Sequence, residues 1–432
     1  PAVRRLFDRL PEGTIAIGAG LVVNGVTAYA FITVSSRDLG VESYSPVAML
    51  WALSFLLGVG FFLPLEQETA RLVASRRSRG EGSGPVIRAA ALLGSVMALA
   101  LAVVAVVAAP WAIDALFDGD TWLFVGLLMV VFGLGAAHLA KGLLAGQGRF
   151  GSYGRYIVGE GGGRLLLLVV VILATDTVGP YGLAIGLAPF VGLAVALTGQ
   201  RNLLEPGPPA HLGDLSRAVG SLLVASVGIA FMVNVSPLAV EVLADESQAQ
   251  ESGRFLNALL IARIPLFFFQ AIQASLLPKL SGLAGRSSYD ELWRVLRRLL
   301  TLVFALGAIA VVLAALFGTL AVEVAFGEEF AVRRLDMVLL TASSAVLMIA
   351  LSLSQALIAC QAQGWMASAW IAGVVAFPVA VGYGGDLFFR VERGLLVAVS
   401  VTAVVLGVLL YNRLHRLGVA VRTGGTGPDG RG

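Results

Sequence analysis

Residues 89–113, 177–200, 218–240 and 299–322 of this sequence each run without a charged side chain. Every one of these stretches exceeds the ~20 apolar residues needed to cross the hydrocarbon core of a bilayer. A chain that repeats such segments has too little polar surface to face water on all sides. Composition agrees: 58% of the 432 residues are hydrophobic and 13% are charged, against ~25% charged in an ordinary soluble domain. Inside lipid the backbone must bond to itself, which permits helices or closed barrels. The apolar runs lack the strict alternation of barrel strands, so the sequence predicts an all-α polytopic membrane protein.

Apolar runs read against charged breaks give about twelve transmembrane helices. They fall near 13–36, 43–64, 89–110, 121–145, 153–175, 180–200, 217–241, 254–277, 298–320, 335–359, 365–383 and 394–412. With the N-terminus in the cytoplasm, 21 of the 30 basic residues lie on the cytoplasmic side and six on the other. The remaining three, Lys141, Arg164 and Arg263, fall within spans. Because positive charge is retained on the cytoplasmic side, both termini are expected there. The chain opens with Arg4, Arg5 and Arg9 and passes directly into a span, so no separate signal peptide is expected. Arginine outnumbers lysine 28 to 2, a bias of GC-rich bacterial genomes, and the expected location is a bacterial plasma (inner) membrane.

No loop is long enough to be a folded soluble domain. The segments 65–88 and 278–297 read as amphipathic stubs lying at the lipid surface. The Gly-rich tail, 421–432, reads as disordered. A single cysteine, Cys360, excludes an internal disulfide and any cysteine-based metal cluster.

The two halves echo one another. Val23-Asn24 in the first span matches Val233-Asn234 in the seventh. Phe61-Phe62-Leu63-Pro64-Leu65 after the second matches Phe267-Phe268-Phe269 and Leu277-Pro278-Lys279-Leu280 after the eighth. The end of the fourth span, Gly146-Gln147-Gly148, matches Gln361-Ala362-Gln363-Gly364 after the tenth. Six spans per half is an even number, so both halves insert the same way round as parallel repeats. The domains expected are an N-terminal six-helix lobe at 1–212, a C-terminal six-helix lobe at 213–420 and the tail. Two such parallel lobes around a central cavity make an alternating-access carrier.

The stretch 138–164, with its Gly142-Leu143-Leu144-Ala145-Gly146-Gln147-Gly148-Arg149-Phe150 turn into a Tyr- and Gly-containing helix, resembles bacterial polysaccharide flippases. So do Leu39-Gly40 and Tyr44, followed by a span and a Glu66-Gln67-Glu68 to Arg71 exit. These are the Wzx-like members of the multidrug/oligosaccharidyl-lipid/polysaccharide (MOP) exporter superfamily. The resemblance covers the whole chain in span number and in the position of the basic loops. It implies two six-helix lobes around a V-shaped cationic cavity, and transfer of undecaprenyl-diphosphate-linked sugars from the inner to the outer leaflet. Many flippases of this group carry two further helices, so handling of a long lipid tail is not implied by the span count.

A charge in mid-span costs about 2.5–3.5 kcal/mol or more, so it faces a cavity or a partner. Arg263, beside Pro265 in the eighth span, is either a phosphate-binding cation or half of a buried pair; guanidinium binds phosphate oxygens bidentately. Lys141 and His138 lie three apart on one face of the fourth span, and Lys141 either joins the cavity or snorkels to the surface. Glu160 and Arg164, four apart in the glycine-rich fifth span, form either an intrahelical ion pair or part of the cavity. Asn24 and Asn234 bond between helices or contact sugar. Gln270 and Gln273 follow Arg263 on its own span and could add hydrogen bonds to a polar headgroup. Arg37, Asp38 and Glu42 occupy the first outer loop, as a solvated loop or an external gate, and Glu66 and Glu68 end the second span beside Arg71.

Signatures of catalysis and of cofactor or metal binding are absent: no Walker loop, no His-Glu-x-x-His, no Gly-x-Ser-x-Gly. The expected partners are the lipid-linked glycan, membrane lipids and polysaccharide-assembly enzymes, with no nucleic acid. The sequence leaves the coupling ion open. The leading expectation is a flippase for a polyprenyl-phosphate-linked oligosaccharide or related cell-envelope precursor. The alternative is a cation-coupled multidrug exporter, which calls for acidic residues in the cavity, and Glu160 is the one mid-span acid the sequence shows. A membrane glycosyltransferase would need a large loop with catalytic carboxylates, which is missing.

Overall fold

A computed structural model describes residues 14–210, 212–245, 248, 251–266, 269, 280, 289–360 and 362–422. All regular structure among them is helical. The α-helices are α1 (Thr14–Leu57), α2 (Leu63–Ser78), α3 (Gly84–Phe117), α4 (Thr121–Gly146), α5 (Phe150–Ala174), α6 (Gly179–Leu197), α7 (Leu212–Leu243), α8 (Glu251–Ala262), α9 (Tyr289–Phe326), α10 (Arg334–Ala359), α11 (Gln363–Val381) and α12 (Leu387–Arg422). Nine stretches among the described residues are long and apolar enough to cross a membrane. Large apolar side chains such as Val107, Leu166, Leu173 and Phe304 are exposed along them, as lipid-facing surfaces require. The chain is a multi-pass membrane protein.

Helices α3 to α7 and α9 to α12 correspond to the third to seventh and ninth to twelfth spans read from sequence; α8 covers the first part of the eighth, the rest of which lies mostly outside the described residues. The first two spans differ. They run together as α1, whose one break is Gly40 at φ 67°, ψ 172°, a conformation open to glycine and costly for other residues. Asp38, placed in a solvated loop by the sequence, therefore sits on a helix, where its carboxylate accepts a hydrogen bond from the Tyr181 hydroxyl.

Beyond α1 the backbone widens into one π-helical turn, Gly58–Phe62, and continues as α2. The segment 65–88 is thus no surface stub. Its first half is a helix with Leu65, Thr69 and Val73 fully buried against α4. The reason is steric: a Cβ on Gly142 would lie 2.6 Å from the Glu66 carbonyl oxygen, and one on Gly146 2.6 Å from Val73 Cβ. Two glycines one turn apart on α4 let the backbones meet, as small residues do between membrane helices. Half of the second amphipathic stub, 278–297, lies outside the described residues, and its final part opens α9.

The chain forms two compact units: unit 1, Pro1–Ala230 with Glu246–Gly253, and unit 2, Phe231–Asp245 with Arg254–Gly432. In unit 1, α4 and α5 pack on α6, α1 on α5, and α2 and α3 on α4. In unit 2, α9 packs on α10, and α10 and α11 on α12. The tight α3–α4 turn uses Asp118 in the left-handed region and Asp120 as N-cap, accepting from Trp122 N at 2.7 Å and Leu123 N at 3.1 Å.

Candidate functional site

The continuation of α1 into α2 carries Glu66 into the packed interior of unit 1, where it is 7% exposed. Helix α4 presents His138 and Lys141 to it from one face. His138 Nδ1 lies 2.7 Å and Lys141 Nζ 3.0 Å from Glu66 Oε2. From the first turn of α5 the Tyr153 hydroxyl donates to Glu66 Oε1 at 2.7 Å. One carboxylate thus lies against three polar groups from two helices, with Tyr153 as its hydrogen-bond donor and the His138 and Lys141 nitrogens within ion-pairing distance. Phe62 stacks on His138 with ring centroids 6.4 Å apart, which holds the imidazole in place. Lys141 Nζ also lies 5.5 Å from the centre of the Tyr156 ring.

Three turns further along α5, Arg164 is 7% exposed. Its Nη2 donates to Asn24 Oδ1 on α1 at 3.0 Å, and the guanidinium lies over Trp51 at 4.9 Å. Trp51 in turn stacks on Phe31 at 5.6 Å. Arg164 Nε is buried with no hydrogen-bond acceptor. The guanidinium is therefore held by a neutral amide and an indole face, with one N–H unused. Between the two clusters, Glu160 bonds to the Tyr156 hydroxyl. From Tyr153 to Arg164 the polar column spans about 16 Å at the helical rise of ~1.5 Å per residue.

The glycine-rich run of α5 makes this column possible. A Cβ on Gly161 would sit 2.3 Å from Thr27 Oγ1 and 3.0 Å from Asn24 Oδ1. One on Gly163 would sit 2.6 Å from Val191 Cγ1. These glycines bring α1 and α6 against α5, and that approach places Asn24 at Arg164. The run is close packing inside an unbroken helix.

Of the residues singled out by sequence, the structure brings Lys141, Glu160, Arg164 and Asn24 into this one column. Lys141 reaches Glu66 and does not snorkel to the surface. Glu160 and Arg164 do not close an ion pair on each other: the first turns to Tyr156, the second to Asn24. Glu68 pairs with Arg71 at 2.5 Å, while its neighbour Glu66 turns inward. Arg263 and Asn234 are buried in unit 2. Helix α8 ends at Ala262, so Arg263 stands at the helix break before Pro265, donating from Nη2 to the Val233 carbonyl of α7. Gln270 and Gln273 lie outside the described residues. Sequence reasoning missed Glu66, Tyr153 and Trp51 as members of the column. The available signal for Glu66 was the helical spacing of Leu65, Thr69 and Val73, which extends the apolar face past Pro64.

No family model matches the sequence. An uncharacterized protein of Mycobacterium tuberculosis is 27% identical over 389 residues, covering 85% of both chains. A second, of Mycobacterium bovis, is 26% identical over 341 residues, covering 74% of both. Among solved structures, the inward-facing conformation of a multidrug resistance MATE family transporter of the MOP superfamily superposes with a TM-score of 0.73 at 14% identity, over 95% of this chain and 99% of that one. A eukaryotic MATE transporter superposes with a TM-score of 0.60 at 14% identity, over 95% and 98%. The fold is that of MATE transporters of the MOP superfamily.

Proposed function

We propose that this protein is a membrane exporter working by alternating access, and that its cargo is a polyprenyl-phosphate-linked oligosaccharide or related cell-envelope precursor. The observation that carries the cargo assignment is Arg164. A buried guanidinium held by an amide and an indole, with an N–H lacking an acceptor, is built to receive an anionic oxygen. A phosphate is the anion such a fork fits best. Trp51, Tyr156 and Asn24 around it offer the flat faces and amide groups that bind sugars. On this reading the protein sits in a bacterial plasma membrane with both termini in the cytoplasm, and acts beside polysaccharide-assembly enzymes.

The MATE fold supports a second reading, a cation-coupled multidrug exporter, and one observation favours it: the buried Glu66 carboxylate beside His138, a pair able to hold and pass a proton. The two readings separate by binding. The purified protein would be titrated with a polyprenyl-diphosphate sugar, with the matching neutral polyprenol, and with a hydrophobic organic cation. The flippase reading expects preference for the diphosphate and a ~10- to 100-fold weakening in Arg164→Gln, the effect of losing one charge-assisted contact of ~1.5–3 kcal/mol. Preference for the organic cation, unaffected by Arg164→Gln, would assign the multidrug reading instead.

A further inference from the structure

At the end of unit 2 that holds the 327–333 and 382–386 connections, two carboxylates converge on one guanidinium and a third is buried beside them. Arg333 Nη2 donates to Asp336 Oδ1 at 2.8 Å and its backbone N to Asp336 Oδ2 at 2.9 Å. The same guanidinium pairs through Nη1 with Asp386, whose Oδ1 caps α12 by accepting from Phe389 N at 2.9 Å. The third carboxylate, Glu392, lies less than two turns into α12 and is 0% exposed. Neither of its oxygens has a hydrogen-bond donor, and the carboxylate that acts on it, Asp336, is another acceptor. Asp336 is itself 1% exposed. Arg333 is committed to Asp336 and Asp386, and no cation among the described residues pairs with Glu392.

The other elements around Glu392 do not supply one. Helix α11 carries no titratable side chain between 363 and 381. On α12 itself, Arg390 turns to the Val381 carbonyl and Arg393 to the carbonyls of Ala380, Tyr383 and Gly384. The charged groups that act on Glu392 are Asp336, Arg333 and Asp386. An ionised carboxylate removed from water without donor or cation is among the most costly arrangements a protein can hold. A metal ion would need six or more oxygens for calcium and a near-octahedral set for magnesium. No group of three or more His, Cys, Asp or Glu among the described residues could hold one. A proton needs only the two facing carboxyls, as in paired-carboxylate sites that share one hydrogen.

We infer that Glu392 and Asp336 form a proton-binding site, in which Glu392 carries the hydrogen and donates it to the Asp336 carboxylate. The proton then ties the start of α12 to the start of α10, beside the Arg333–Asp386 pair that joins the two connections. Loss of that proton places two carboxylates against each other in a dry contact and loosens this end of unit 2. The assignment is independent of what the protein carries.

The test is infrared spectroscopy of the purified full-length chain at neutral pH, comparing the parent with Glu392→Gln. The parent is expected to show a protonated-carboxyl carbonyl stretch that the variant lacks, and that fades in the parent at alkaline pH. Asp336→Asn should shift the frequency of this band, because its hydrogen-bond acceptor changes. Identical spectra for parent and Glu392→Gln would overturn the assignment. Should Glu392→Gln fail to fold, judged by size exclusion and circular dichroism, the parent alone decides. A hydrophobic carbodiimide, which attacks protonated carboxyls, is then reacted with it and the adduct mapped by mass spectrometry. An adduct on Glu392 supports the site; an unmodified Glu392 refutes it.

Discussion

Replacing Glu66 by alanine leaves His138, Lys141 and Tyr153 without their carboxylate in the interior of unit 1. The carboxylate has partners at 2.7 Å (His138), 3.0 Å (Lys141) and 2.7 Å (Tyr153). Hydrogen bonds to a charged group contribute ~1.5–3 kcal/mol each, but the three share one ion whose desolvation opposes them, so a simple sum overstates the loss. Buried pairs broken at one partner lose about 3–5 kcal/mol. The Lys141 side chain keeps 14% of its surface exposed, which allows water to relax part of the stranded charge, so the lower end, about 3 kcal/mol, is expected. Lys141→Met in the same chain removes the stranded cation, and the double variant should regain about 2 kcal/mol relative to the sum of the single effects. The assay is equilibrium unfolding of the purified protein in detergent micelles. Glu81→Ala serves as control, since Glu81 pairs with Arg79 on an exposed loop at 3.0 Å and should unfold like the parent. The reasoning fails if Glu66→Ala is no less stable than Glu81→Ala, or if Lys141→Met adds to the damage.

Three other outcomes are expected. Gly126→Ala puts a Cβ 2.6 Å from the Gly182 carbonyl oxygen, whereas Gly162→Ala meets nothing within 4 Å; the first should cost about 1–3 kcal/mol and the second nothing, by thermal unfolding of each. Asp386 sits outside the spans, and although burial pulls its pKa up, the hydrogen bond from Arg333 outweighs this and holds it below the usual carboxylate value. A depressed folded-state pKa stabilises above the unfolded value of ~4 and loses that contribution as pH falls through the folded one. Melting temperature should therefore drop more steeply below pH ~4 in the parent than in Asp386→Asn, and because the Asp386 side chain is 47% exposed the difference stays under ~1 kcal/mol. Arg76 donates to the Pro208 and Pro209 carbonyls, so Arg76→Ala should release the 198–211 connection, read as faster limited proteolysis there with the helices left intact.

Most of the helical order was legible because the spans from α3 onward lie between charged breaks or, at 360–364, a short polar one, and length plus hydropathy suffices to place such segments. The α1–α2 region escaped that logic. Arg37, Asp38 and Glu42 look like a loop, yet the chain needs only Gly40 to turn between helices, and Asp38 finds its partner in Tyr181. Glu66 looked like the end of a span because Glu68 and Arg71 follow it. Its true direction depends on α4 approaching through Gly142 and Gly146, a contact that no local pattern encodes. The column was half legible: charges inside spans pointed to Lys141, Glu160 and Arg164, while the aromatic floor of Trp51 and the turn of Arg164 toward Asn24 arise from packing across helices. Glu392 falls just before the last span read from the sequence, at 394–412, and became distinctive only through its burial.

The most direct test of the export assignment is headgroup transfer in proteoliposomes holding a fluorescent polyprenyl-diphosphate sugar, with quenching from outside reporting the leaflet. The account predicts transfer well above protein-free vesicles and its loss, by at least tenfold, in Arg164→Gln that folds and inserts like the parent. Transfer no faster than in empty vesicles, together with efflux of an organic cation by the same preparation, would contradict the lipid-linked cargo and leave the multidrug reading in its place.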